Sequence, residues 1–214
     1  MDWQLDPVEA RILASLIEKE ITTPEYYPMT LNAVVLACNQ KSNREPAVNY
    51  DEPTVEGGLE GLRGKKLAYS VSGAGHRVPK HQHRFSEFIN LGRREMALLC
   101  ELMLRGPQTL GELRGRAQRM HDFSGLDEVE SCLRRLMEWE SGPLVARLDR
   151  QAGTKEPRYA HLLSGEVVEG PPSSPPASRS ETDRVAALEV EVRTLRQEVA
   201  ELRQQLADFQ KQFE

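Results

Sequence analysis

The sequence predicts a mainly helical α+β protein: two successive copies of a three-helix unit closed by a β-hairpin, then a linker and a coiled-coil helix. Three observations carry this reading. A degenerate duplication with a period of about 80 residues runs through the chain up to Ser164. Within each copy the apolar period changes from helical to alternating. Finally, an unbroken heptad occupies the segment from Val185 to Phe213.

The duplication is visible in order and spacing. Leu5-Asp6-Pro7-Val8-Glu9 with Ile12-Leu13 and Leu16 matches Leu91-Gly92-Arg93-Arg94-Glu95 with Leu98-Leu99 and Leu102, at an offset of 86. Thr30-Leu31 and Val34 match Thr109-Leu110 and Leu113 at 79, and Val55-Glu56, Leu59 and Leu62 match Val129-Glu130, Leu133 and Leu136 at 74. Leu67 and Phe85 match Leu144 and Leu162 at 77. Offsets that drift by a few residues are expected when loops change length and elements do not. The boundaries that follow are 1–88 and 89–164 for the two domains, each with its own core, 165–180 for a linker and 181–214 for the coiled coil.

Each element has a local justification. The first helix starts at Pro7, with Asp6 as N-cap and Glu9 completing a capping box. Ile12, Leu13, Leu16 and Ile17 then follow helical spacing. The second helix begins after Thr30; in copy two, Thr109 and Glu112 form the capping-box pair. The third begins near Asp51 and turns Val55, Leu59 and Leu62 inward; its counterpart, capped by Ser124, turns Val129, Leu133, Leu136 and Met137 inward. Leu67, Tyr69 and Val71 then alternate, Gly73-Ala74-Gly75 makes a tight connection, and Arg77 to Phe85 returns. In copy two Leu144 to Leu148 goes out, Asp149 to Thr154 forms the tip and Pro157 to Leu162 returns. Helix, helix, helix, hairpin is the winged-helix order, so the fold class is two tandem winged-helix domains plus a coiled-coil helix.

Gly165 to Ser180 holds Pro171-Pro172 and Pro175-Pro176 among Ser and Gly, the composition of a linker. Beyond it Val185, Val192, Val199, Leu206 and Phe213 occupy a positions, and Leu188, Leu195, Leu202 and Phe209 occupy d positions. Valine at a with leucine at d favours a parallel dimer. The pairs that would meet across such a dimer, Arg184 with Glu189, Glu191 with Arg196 and Glu198 with Arg203, are all opposite in sign. These nine apolar residues are the expected dimerisation seam, and the first expected partner is a second copy of the chain.

Composition narrows the function classes. The chain has 214 residues, 39% hydrophobic, 29% charged and 6% aromatic, with a net charge of −5. Net charge is −2 over 1–88, +1 over 89–164 and −4 over 165–214, so no segment is a basic module of the kind that announces nucleic-acid binding. Cys38, Cys100 and Cys132 have neither disulfide parity nor metal-ligand spacing and read as small buried hydrophobes in a reducing compartment. The first residues lack the apolar run of a signal peptide, and no stretch approaches the roughly 18 apolar residues that span a bilayer. A cytoplasmic protein is expected, without membrane contact. There is no P-loop, GxGxxG or GxSxG motif, so neither an enzyme nor a cofactor is expected. His81 and His83 share one face of a strand without a third ligand nearby, so no metal is expected either.

Several runs resemble a known family. Pro24-Glu25-Tyr26-Tyr27-Pro28, Ala37-Cys38-Asn39-Gln40-Lys41-Ser42-Asn43-Arg44-Glu45-Pro46, Val71-Ser72-Gly73, Leu104-Arg105-Gly106-Pro107-Gln108-Thr109 and Glu112-Leu113-Arg114 are similar to the signature of the YceH-like proteins. The resemblance covers about residues 4 to 168, implies two tandem winged helices and implies no activity. The heptad tail lies beyond it.

Two functions compete. Winged helices commonly bind duplex DNA with the third helix in the major groove and the wing on phosphates. The candidate phosphate contacts are Lys41 and Arg44 in the loop after the second helix, and Arg77, Lys80 and Arg84 on the first wing beside His81 and His83. Copy two adds Arg114, Arg116 and Arg119 on its second helix and Arg147, Arg150, Lys155 and Arg158 on its wing. Against DNA, the third helices lead with Glu52, Glu56 and Glu60, and with Asp127, Glu128 and Glu130. Gly57, Gly58, Gly61 and Gly64 would let another backbone approach closely, which points to a protein partner. The alternative to DNA binding is therefore a protein adaptor, as in the ScpB-type subunits of chromosome condensation complexes. The donors Asn39, Asn43 and Arg44 are expected to satisfy backbone groups in the loop they occupy.

Overall fold

A computed structural model of the chain describes residues 4–72, 78–150 and 156–165. The linker, the heptad seam, the tip Gly73-Ala74-Gly75, most of the Asp149–Thr154 tip, and the candidates Arg77 and Lys155 lie outside the described residues. The rest is an α+β fold with small antiparallel sheets among its helices, in a winged-helix-like order.

Copy one runs α1 (Pro7–Thr22), β1 (Met29–Thr30), α2 (Leu31–Cys38), α3 (Glu52–Gly64), β2 (Ala68–Val71) and β3 (Lys80–His83). The short helix α4 (Phe85–Phe88) joins it to copy two, which runs α5 (Arg93–Arg105), α6 (Leu110–Ala117), α7 (Leu126–Met137), β4 (Val145–Arg147) and β5 (Tyr159–His161). The local signals fix the helix starts. Asp6 accepts from the Glu9 amide and Glu9 accepts from the Asp6 amide, both at 2.8 Å, around a proline at the first helical position. Thr109 and Glu112 form the same reciprocal box on α6, and Thr30 and Asp51 cap α2 and α3. At α7 the expectation is corrected: Gly125, not Ser124, is the N-cap. The Ser124 amide and hydroxyl instead donate to the Glu128 carboxylate at 2.9 Å each, because Glu128 already stands on the first turn and reaches back. Helix α5 stops at Gly106, whose φ of 72° and ψ of −157° only glycine adopts without strain.

Copy one has three strands, one more than the alternation predicts. Strand β3 is central, paired with β2 (Tyr69 opposite Gln82) and with β1 (Met29 opposite His81). Copy two repeats the extra pairing as a bridge between Gln108 and Tyr159, with N–O distances of 3.0 and 2.8 Å. Both extra pairings sit just before the second helix, at equivalent places in the duplication.

The two copies share one continuous core, which differs from the expectation of two separate ones. A helix at the edge of a small domain buries one stripe. Helix α1 buries every residue from Glu9 to Glu18, and α5 every residue from Glu95 to Leu104. Each packs its own copy on one side and the other helix on the opposite side, where the Cys100 thiol donates to the Ala14 carbonyl at 3.2 Å. The Leu5 amide donates to the Leu163 carbonyl and the Glu45 amide to the Leu104 carbonyl, which ties the copies at two further points.

Two of the four helical glycines, Gly58 and Gly61, are explained inside the molecule, which corrects their reading as part of a docking surface. A Cβ on Gly58 would lie 2.5 Å from Ile12 Cδ1 and 3.0 Å from Val8 Cγ1, and one on Gly61 would strike the Glu9 carboxylate. Bare backbone there lets α3 approach α1 and lets Lys65 pair with the buried Glu9. Gly57 and Gly64 face open space.

Candidate functional site

The cations proposed as phosphate contacts divide by what already holds them. Arg44 is a correction: its side chain has no exposed surface. It pairs with the equally buried Glu18 of α1, and donates to the Ala37 carbonyl through Nε at 3.1 Å and Nη2 at 2.9 Å. Arg119 crosses the same joint, pairing with Glu18 and with Glu101 of α5, the latter at 2.6 Å. Glu101 also faces Arg105 at 3.4 Å, and Arg105 donates to Asn43 Oδ1 at 2.6 Å. Two residues chosen for an external ligand thus meet on one internal carboxylate.

Arg116 is half-buried between Glu112 at 3.1 Å and Gln108 Oε1 at 2.9 Å. Arg158 donates twice to the Pro107 carbonyl. Arg84 is exposed, but lies on Glu87 at 2.6 Å with its guanidinium 5.4 Å from the Tyr69 ring centre. Arg114 is exposed, with one contact to the Phe123 carbonyl at 3.3 Å. Lys41, Arg147 and Arg150 are exposed and Lys80 is half-buried at the start of β3. The wing histidines are corrected as well. His81 and His83 face inward from β3, and His83 Nε2 lies 2.8 Å from Glu20.

In the loop after α2, Asn39 and Arg44 satisfy backbone groups as expected, whereas the Asn43 side chain accepts from the Arg105 guanidinium. Asn39 exchanges two hydrogen bonds with the Tyr50 backbone, each at 2.8 Å, and closes the loop like a rung. Arg11, buried on α1, donates to the Cys38 and Pro46 carbonyls. Burial raises the Cys38 thiol to about 11 and pushes Cys100 and Cys132 upward too, so none is a thiolate at neutral pH.

Sequence reasoning missed the carboxylates Glu18 and Glu101. A signal was present for the second. Glu101 interrupts the run Leu98-Leu99-Cys100-Glu101-Leu102-Met103-Leu104, and a charge with apolar neighbours on both sides is buried only with a partner.

A recess among the described residues lies between α3, the start of α2 and the β2–β3 hairpin, with a volume of about 640 Å³. Glu52, Glu56, Leu59 and Arg63 line it from α3, Thr30, Leu31 and Asn32 from α2, and Ser70, Ser72, Val78, Pro79 and His81 from the hairpin. Arg63 donates to Ser70 Oγ at 3.2 Å, and Ser70 Oγ lies 3.1 Å from His81 Nδ1. In the order Arg63 to Ser70 to His81, with the Ser70 hydroxyl donating to Nδ1, the imidazole proton stands on Nε2. Burial and then Arg63 lower the His81 pKa against the opposing pull of Glu56, so the ring is neutral at pH 7. The recess therefore combines carboxylates, a neutral imidazole and apolar wall, without a surplus of cations. No group of three or more metal-ligand side chains occurs among the described residues, and no helix there is long and apolar enough to cross a membrane.

Comparison with known proteins agrees with the resemblance. Residues 5–154 match a family model described as "Protein of unknown function, DUF480". A UPF0502 protein of Solibacter usitatus is 56% identical over 199 residues, covering 92% of this chain and 95% of that protein. UPF0502 proteins of Pelobacter propionicus and Geobacter sulfurreducens are 52% and 51% identical, with alignments spanning 100% of both chains. Those two alignments extend through the tail, beyond the residues that carry the motif resemblance. With a family model over most of its length and relatives above half identity end to end, the chain belongs to the DUF480/UPF0502 family.

Proposed function

We propose that this is a non-enzymatic adaptor: two winged helices fused back to back into one rigid unit, paired into a dimer by the tail, that docks a protein partner. The observation that carries the reading is the charge of the surface around α3. Glu52, Glu56 and Glu60 are exposed along it, whereas Arg44 and Arg119, which would have offset them in a phosphate-binding role, are committed to Glu18. A helix entering a DNA groove meets phosphates on both sides, and carboxylates there are repelled. The same holds for the start of α7, where Asp127 and Glu130 are exposed.

A second reading, DNA binding through copy two, is favoured by exposed Arg114, Arg147 and Arg150. A salt-titrated anisotropy assay with a duplex, together with affinity capture after nuclease treatment, separates the two. The adaptor reading expects a protein retained after nuclease and no duplex binding at 150 mM salt. Three phosphate contacts would instead make log K fall by about 2.7 per decade of salt, and that slope with no retained protein would refute the adaptor.

The dimer is tested separately. Each leucine buried at a seam contributes roughly 1.5–3 kcal/mol, whereas an exposed charge pair adds under about 1. Replacing Leu195 and Leu202 by Asp is expected to give a monomer in sedimentation equilibrium with unchanged circular dichroism from residues 1–168. A full-length protein that is already monomeric at tens of micromolar would remove the tail from the dimer.

A further inference from the structure

We infer that the recess between α3 and the β2–β3 hairpin is the docking site for a lysine- or arginine-bearing segment of the partner, bound through its cation by Glu52 and Glu56 and through a backbone carbonyl by His81. This rests on the adaptor reading and adds where and by what chemistry the partner binds.

The argument starts with the carboxylates. Glu52 and Glu56 stand one helical turn apart on the same wall of the recess, and both are exposed. Neither has an ion-pair or hydrogen-bond partner among the described residues, although Glu60, one turn further, is taken by Arg63 at 3.4 Å. Carboxylates at i and i+4 repel each other on a helix, and a cation between them removes that repulsion.

His81 is the independent observation. It is 9% exposed and lines the recess. Its Nδ1 is taken by Ser70, whereas Nε2 has no partner among the described residues. A largely buried imidazole whose Nε2 opens on a cavity is placed to donate to an acceptor there, and the commonest acceptor in a peptide is a backbone carbonyl. Leu31, Leu59 and Val78 supply the apolar wall along which the methylene stem of a lysine or arginine lies. A recess of about 640 Å³ accommodates two or three residues of such a segment. Phosphate is disfavoured, because the two carboxylates oppose it, His81 is neutral and Arg63 is already held by Glu60 and Ser70.

The test uses the full-length protein and two fluorescently labelled peptides, acetyl-Leu-Arg-Leu-Arg-Leu-amide and its glutamate counterpart. The arginine peptide is expected to bind at least tenfold more tightly by anisotropy, and Glu52→Gln with Glu56→Gln is expected to weaken it at least tenfold. Both substituted positions are exposed, so an unchanged melting temperature serves as the folding control. His81→Asn, which keeps a donor, is expected to retain more affinity than His81→Leu. Equal binding of the two peptides, no binding of either at millimolar concentration, or an unchanged affinity in the glutamine variant overturns the assignment. Displacement of the peptide by a 12-base-pair duplex overturns it in favour of nucleic acid. If the nuclease-resistant partner is still captured by the glutamine variant, the adaptor stands and only this site falls. If no partner is captured by either protein, the adaptor itself falls.

Discussion

Replacing Arg44 by alanine is expected to destabilise the fold by about 3–5 kcal/mol, because removing one partner of a buried pair leaves the other charge uncompensated. The side chains of Arg44 and Glu18 are both wholly buried, and the same guanidinium also satisfies the Ala37 carbonyl that ends α2. The loss therefore falls on α1, on the loop and on the joint between the copies at once. Lysine at this position keeps the charge but loses the fork that reaches carboxylate and carbonyl together, so Arg44→Lys is expected to fall between alanine and wild type. Urea denaturation followed by circular dichroism measures the difference. An exposed cation such as Arg147 provides the contrast, since its alanine variant is expected within about 0.5 kcal/mol of wild type. If Arg44→Ala behaved like Arg147→Ala, the joint would not be the buried charge cluster described above.

Leu99→Ala is expected to cost about 2–5 kcal/mol, the range for emptying a fully packed leucine site. Leu99 lies at the middle of α5, is entirely buried and belongs to the core that runs from Leu5 to Leu163. Its stronger consequence concerns cooperativity. Two domains with separate cores would show the loss in copy two alone and leave copy one melting as before. A shared core predicts one transition, shifted as a whole, whether it is followed in copy one or copy two by amide exchange. Two resolved transitions, with copy one unmoved, would show that α1 and α5 touch without sharing stability.

Much of the fold was legible because its signals are local. Asp6 with Glu9, and Thr109 with Glu112, need only three residues of separation to form a box, and the structure contains both. The alternation after Leu67 and after Leu144 located both hairpins, because the side-chain period of a strand is set by its own backbone. Ser124 failed as a cap for an equally local reason: Glu128 competes for its amide from one turn ahead. The candidate site was less legible. The acidity of α3 could be read directly, and Glu52 and Glu56 indeed line the recess. The sequence presents His81 as a wing cation because it does not reveal which face of β3 is covered; packing of α1 against β3 covers the face that carries His81 and His83.

Helix caps, strand periods, the duplication and the excess of carboxylates on the third helices are properties of short stretches of chain, and the sequence alone determined them. Which charges are spent internally was decided only in three dimensions. Arg44 and Arg119 stand 75 positions apart and meet on Glu18 because α1 and α5 pack face to face. No local pattern encodes that encounter. A surface arginine and a buried one have the same chemistry in sequence, and only the carboxylate brought beside it by packing determines whether it is left for a ligand.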